Sequence, residues 1–171
     1  MALFNLFSNE IKVVKSTKKA SDKMNVREIA ECVAYTMIMS AASLKGIKKI
    51  KAMPKVNVLN APSGKTSIGE YVNNKGVINV YINNVVASAK KNNRSLVFVT
   101  AECIAHEATH FFQETLKEDH TSWKKLNYLA QPHEQEAFIN SRKIANAYAE
   151  ANGLETAPNY IISKGLLALA V

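Results

Sequence analysis

The feature that most constrains this chain is the pattern H-E-x-x-H at residues 106–110, inside an apolar segment with helical periodicity. Because residues i and i+4 lie on the same face of a helix, His106 and His110 project together and can bind one metal ion. Glu107 is adjacent to the first histidine and can reach a water molecule on such an ion. The segment therefore predicts a metal centre on a helix, with a carboxylate beside it.

A catalytic zinc ion needs a third protein ligand and an open position for water. The residues directly after the pattern exclude the metzincin class, because Gln113 and Leu116 stand where that class has a glycine and a third histidine. His120 follows His110 by ten residues and is expected to lie beyond the end of the helix. His120 and a segment further downstream are therefore candidates for the third ligand.

A second short motif lies downstream, where Pro132 can begin a helix and Glu134 would occupy its first turn. Together the two motifs resemble the gluzincin metallopeptidases, in which H-E-x-x-H is followed by a glutamate ligand on the next helix. They are similar in particular to minimal metallopeptidases of the ImmA/IrrE kind and to small phage-encoded ones, in which that glutamate stands three residues before a small residue. Glu134 has Ala137 at this spacing, whereas Glu136 fits it less well. The ligands of one Zn²⁺ ion that the resemblance implies are His106, His110 and Glu134, with Glu136 or His120 as alternatives.

The resemblance covers roughly residues 56–150 and implies a zinc-dependent endopeptidase acting on protein or peptide substrates. Zinc would lower the pKa of its water to about 7, and Glu107 would act as the general base. A further hydrogen-bond donor usually stabilises the oxyanion, and the sequence does not choose between Tyr128, His133 and His120. The alternative is a metal-bound protein without proteolytic activity that acts by binding, through its basic N-terminal third. Glu107 argues against this alternative, since metal binding alone needs no general base.

Periodicity and turn residues predict an α+β fold, with an irregular arm at residues 1–24 and one domain at 25–171. The first helix is expected to begin after Asn25, with Glu28 in capping-box spacing, and to end at Gly46. This order of elements, with an N-terminal helix, a small sheet and two helices that carry the motifs, resembles that of a zincin domain. The strands are expected at residues 56–59, 68–72 and 77–82, and the later helices at 85–91, about 94–116 and 133–152.

In zincin folds the substrate lies extended against an exposed sheet edge above the metal. The resemblance therefore implies such an edge here, and we expect it in the last strand, whose residues alternate as in a strand with one buried face. Addition of the substrate as a strand would supply backbone hydrogen bonds without demanding a particular side chain. The residues of this expected edge are Val77, Ile78, Asn79, Val80, Tyr81 and Ile82.

Positive charge is concentrated in the first 60 residues, which hold 11 Lys+Arg against 4 Asp+Glu, while the remaining residues hold 11 against 10. A lysine cluster at residues 45–55 can dock an acidic partner or nucleic acid. Because no arginine-rich or aromatic-interleaved pattern accompanies it, a solvated face is favoured and nucleic acid is the less expected partner. The lysines of this cluster are Lys45, Lys48, Lys49, Lys51 and Lys55.

Membrane insertion and disulfide bonding are both disfavoured by the sequence. The N-terminus lacks the basic region of a secretory signal, and no apolar run approaches the length of a membrane span. We therefore expect a cytoplasmic protein. Its two cysteines, Cys32 and Cys103, are expected to be buried free thiols, with Cys103 filling the core rather than binding metal.

Overall fold

The computed structural model describes residues 25–118, 125–163 and 165–169. The fold is α+β, and the order of its helices and of its first three strands confirms the sequence prediction, whereas a C-terminal hairpin was not predicted. The N-terminal arm and His120 lie outside the described residues. The elements are α1 (Val26–Leu44), β1 (Lys55–Leu59), β2 (Gly69–Val72), β3 (Val77–Tyr81), α2 (Ile82–Lys91), α3 (Leu96–Thr115), a 3₁₀ helix (Tyr128–Ala130), α4 (Pro132–Ala151), β4 (Tyr160–Ser163) and β5 (Leu166–Leu169).

Helix α1 begins and ends at the residues that the capping rules predict. The Asn25 side chain accepts from the backbone N–H of Glu28, whose carboxylate accepts in return from the Asn25 N–H, so the capping box is complete. At the other end, Gly46 has φ +71°, a left-handed conformation that glycine adopts without strain. The buried face of α1 packs against α3 and includes Ile29, Val33, Met37 and Ala41.

The strand order of the first sheet is β1-β3-β2, so β3 is its central strand. β3 pairs in parallel with β1 and antiparallel with β2, and its Ile78 and Val80 are fully buried. The expectation that residues 77–82 form an exposed edge is therefore wrong, because β1 covers the side of β3 that a simple hairpin would leave open. Ile82 in addition is the first residue of α2. The edge strands of this sheet are β1 and β2.

Helix α3 lies at the centre of the molecule, between α1 on one side and α4 on another. It begins at the N-cap Ser95, whose hydroxyl accepts from the Phe98 N–H, and Ile104 and Phe112 are among its fully buried side chains. Helix α4 begins at Pro132, as predicted. Because α3 and α4 pack along much of their length, the first turn of α4 comes to lie beside the H-E-x-x-H turn of α3.

The two cysteines differ in their environment. Cys103 is buried in the core, as expected, and burial raises the pKa of its thiol well above the usual value. Cys32 is exposed on α1, so the expectation that both thiols are buried is wrong for this residue. In the part of the chain that the structure describes, no helix has both the length and the apolar character needed to cross a membrane.

Candidate metal centre

Three potential ligand atoms converge where the first turn of α4 meets the middle of α3. The Nε2 atoms of His106 and His110 are 3.1 Å apart, and Oε2 of Glu134 is 3.4 Å from each of them. A regular tetrahedron with bonds of about 2.0–2.1 Å to its centre has edges of about 3.3–3.4 Å. The three atoms are therefore spaced as the ligands of one tetrahedral ion are, and the group could hold one metal ion.

The Glu134 carboxylate has the electrostatic character of a ligand. Its Oε2 atom is buried and, within the described residues, lacks a well-formed hydrogen bond, which is uncommon for a buried oxygen. Burial by itself would raise the pKa of Glu134, but the imidazoles of His106 and His110 and the Tyr128 hydroxyl outweigh burial and lower it. An ionised oxygen facing two ring nitrogens fits the requirements of a bound cation.

The ring orientation of His110 is set by Gln113, one turn further along α3. The Gln113 amide nitrogen donates to the His133 carbonyl at 3.0 Å and to Glu136 at 2.8 Å. Its carbonyl oxygen therefore faces His110 Nδ1, at 2.8 Å, and can only accept. The proton of the neutral ring is thus on Nδ1, and the Nε2 lone pair is directed at the centre. Such outer partners commonly fix the tautomer of a metal-binding histidine.

The other residues considered as ligands do not join this cluster. The Glu136 carboxylate is bound by the Lys45 ammonium, at 2.8 and 2.9 Å, and by Gln113, and it is not part of the group of potential ligands. Cys103, buried beneath β2, is also not part of the cluster. His120 cannot be placed, since it lies outside the described residues.

Glu107 is held by the edge of the sheet. The residue is 8% exposed, and its carboxylate Oε2 accepts from the Tyr71 backbone N–H at 2.8 Å. The Tyr81 N–H donates to the Ile68 carbonyl, so Ile68 is bonded to β3. In an antiparallel ladder every second residue is bonded to the neighbouring strand, and the backbone groups of Gly69 and Tyr71 therefore point away from β3. A backbone N–H on the free edge of β2 therefore holds one oxygen of Glu107. Sequence periodicity did not predict this contact.

The centre opens into a two-part cleft. A cavity of about 720 Å³ and a second of about 580 Å³ share a wall formed by Gly69, His106, Glu107 and Tyr128. Most residues that line the larger cavity are of polar or charged type, His133 among them, and the smaller cavity has an aromatic wall that includes Phe138 and Tyr160. Both expected oxyanion donors, Tyr128 and His133, thus line the cleft. The group of three potential ligands is therefore accessible from the cleft.

Gly69 is the point of closest approach between β2 and α3. A Cβ atom placed on it would lie 2.5 Å from Cys103 Sγ and 3.3 Å from Glu107 Cγ. We expect Gly69→Ala to lower the free energy of unfolding by about 1–3 kcal/mol, the usual range for overpacking a core. The measurement is denaturant unfolding of both proteins.

The matched control for this prediction is the same substitution in a Cys103→Ala background, where the closest obstacle has been removed. There the added methyl group should cost clearly less stability than in the wild type. An equal loss in both backgrounds would contradict the steric explanation.

The lysine cluster of residues 45–55 is smaller than the sequence suggested. Lys45 is drawn into ion pairs with Glu118 and Glu136, and its side chain is only 8% exposed. It does not belong to the solvated face, because its ammonium group is paired with two carboxylates. The remaining four are exposed: Lys48, Lys49, Lys51 and Lys55.

Comparison of the chain with protein-family models, with curated proteins and with solved structures finds no match.

Proposed function

We propose that the protein is a zinc-dependent endopeptidase. The observation that carries the proposal is the convergence of His106, His110 and Glu134 at tetrahedral spacing, next to a buried carboxylate, in an open cleft. Two imidazoles and one carboxylate form a donor set that suits Zn²⁺, and three protein ligands leave a position for reaction. The adjacent Glu107 gives this arrangement a group that metal storage would not need.

When bound, zinc supplies a Lewis acid that activates water as a nucleophile and polarises the scissile carbonyl. Glu107 accepts the proton of the attacking water and passes it to the leaving amine. Its Oε2 is engaged by the Tyr71 N–H, so the other oxygen of Glu107 is the one available for proton transfer. Tyr128 and His133 both line the cleft, and one of them is proposed to donate a hydrogen bond to the oxyanion.

The substrate segment is proposed to lie extended along β2 rather than β3. β2 is the edge strand that lines the cleft, and the backbone groups of Gly69 point away from the sheet. Pairing there would use main-chain hydrogen bonds and place the peptide beside Glu107. The polar and aromatic cavities on either side would then receive the side chains that flank the scissile bond.

The test is cleavage of a fluorescence-quenched peptide library by the zinc-loaded chain. We expect cleavage that is lost when a chelator removes the metal and that returns when zinc is added back. Glu107→Gln protein, prepared in the same way, controls for a contaminating peptidase. If the zinc-loaded chain cleaves no member of the library, the endopeptidase proposal is wrong. The alternative function by binding would be supported if a cellular effect of the protein survives Glu107→Gln.

A further inference from the structure

Lys45 occupies an unusual position for a lysine at the end of a surface helix. It is the C-cap residue of α1, yet its ammonium group lies between Glu118, just beyond the end of α3, and Glu136 on α4, and only 8% of its side chain is exposed. There it contacts Glu118 and both carboxylate oxygens of Glu136. Burying the charge is costly unless it is paired in this way. The ion pairs of Lys45 are therefore made with residues outside α1, and they link the end of this helix to Glu118 and Glu136.

The contacts continue from Lys45 to the metal centre in three steps. Lys45 binds Glu136 at 2.8 Å, Glu136 accepts from the Gln113 amide at 2.8 Å, and Gln113 accepts from the His110 ring at 2.8 Å. Gln113 also donates to the carbonyl of His133, the residue before Glu134. The path thus reaches a ligand on α3 and the backbone that carries the ligand on α4.

We infer that Lys45 is a positioning residue of the metal centre, acting on His110 and Glu134 through Glu136 and Gln113. The inference rests on the proposed metal site and extends it to a helix that supplies no ligand. The ammonium group fixes the carboxylate of Glu136, and this carboxylate and the His133 carbonyl together determine which end of the Gln113 amide faces His110. Without the cation, Glu136 and Glu118 remain as neighbouring carboxylates with no positive charge between them.

The expected consequence concerns metal affinity, because loss of an outer partner of a metal ligand commonly weakens binding by 10–100-fold. In the full chain, Lys45→Met should weaken Zn²⁺ binding by about tenfold, as measured by competition with a chromophoric chelator. The absorption spectrum of the Co²⁺-substituted protein should also change, since His110 is no longer held in one orientation. Lys45→Arg, which keeps the charge, should lose less affinity than Lys45→Met.

Two controls separate positioning from a purely structural role. Lys143→Met removes an exposed lysine from α4 and should leave zinc affinity unchanged. Thermal unfolding of the metal-free proteins shows whether Lys45→Met retains its fold. If it does not fold, Glu136→Leu interrupts the same path one step closer to the centre and should give the same loss of affinity.

The decisive comparison is a double-mutant cycle with Gln113→Leu. If Lys45 acts through Gln113, the loss caused by Lys45→Met should largely disappear in the Gln113→Leu background. Equal losses in both backgrounds, or unchanged zinc affinity in folded Lys45→Met, would overturn the inference. Metal affinity is measured without a peptide, so failure to find proteolysis would refute the proposed activity and leave this result intact. A wild-type chain that binds no zinc would overturn both.

Discussion

Glu107→Gln is expected to lower kcat/KM for peptide hydrolysis by about 10²–10⁴-fold, the usual contribution of a general base, while the protein still binds one zinc ion per chain. The amide has nearly the same shape, and its carbonyl oxygen can still accept from the Tyr71 N–H, so the side chain should keep its place. It cannot take a proton from water, however. The measurements are steady-state kinetics on a cleaved library peptide and metal content by elemental analysis.

The control for this prediction is Glu150→Gln, which changes an exposed glutamate on α4 in the same chemical way. Its kcat/KM should equal that of the wild type. If Glu107→Gln retained activity within about twofold of the wild type, far less than the loss of a general base costs, Glu107 would not be the base. If it instead lost its zinc, the carboxylate would have a role in holding the centre.

Two features of the centre were predictable because they depend on local sequence alone. They are the shared helix face of the two histidines and the position of the glutamate in the first turn of the next helix. His106 and His110 share a face because they are four residues apart, and Pro132 places Glu134 in the first turn of the next helix. These relations are local, so they do not depend on how distant segments pack. The prediction of an α+β fold with this element order rests on the same kind of local information.

The parts that were missed depend on contacts between distant segments. β3 was taken for an edge because its hairpin with β2 is local, whereas its pairing with β1 joins residues 22 positions apart. Lys45 was assigned to a solvated cluster and Glu136 was considered as a ligand, although they bind each other across 91 positions. No periodicity in the sequence connects such residues. The approach of β2 to α3 did have an indication in the sequence, since Gly69 lies inside the predicted strand 68–72 and a glycine inside a strand often marks a close backbone approach.

Single substitutions should distinguish the three proposed ligands from neighbouring residues that do not bind the ion. We expect His106→Ala, His110→Ala and Glu134→Ala each to abolish stoichiometric zinc, because two remaining ligands cannot hold the ion against a chelator. Glu136→Ala should retain one zinc with affinity reduced by about 10–100-fold, as befits a residue that acts through Gln113. The measurement is zinc content after dialysis, followed by chelator competition for any variant that retains metal.

The same variants should also differ in how much added zinc raises their Tm. A ligand present at about 100 times its Kd stabilises the folded state by about 2.7 kcal/mol, so added zinc should raise the Tm of the wild type and of Glu136→Ala. It should leave Glu134→Ala unchanged, although Glu134 and Glu136 differ by only two positions on α4. If zinc instead raised the Tm of Glu134→Ala and left that of Glu136→Ala unchanged, the ligand would be on the opposite side of the helix, where Glu136 binds Lys45. The tetrahedral spacing of His106, His110 and Glu134 would then have no functional meaning.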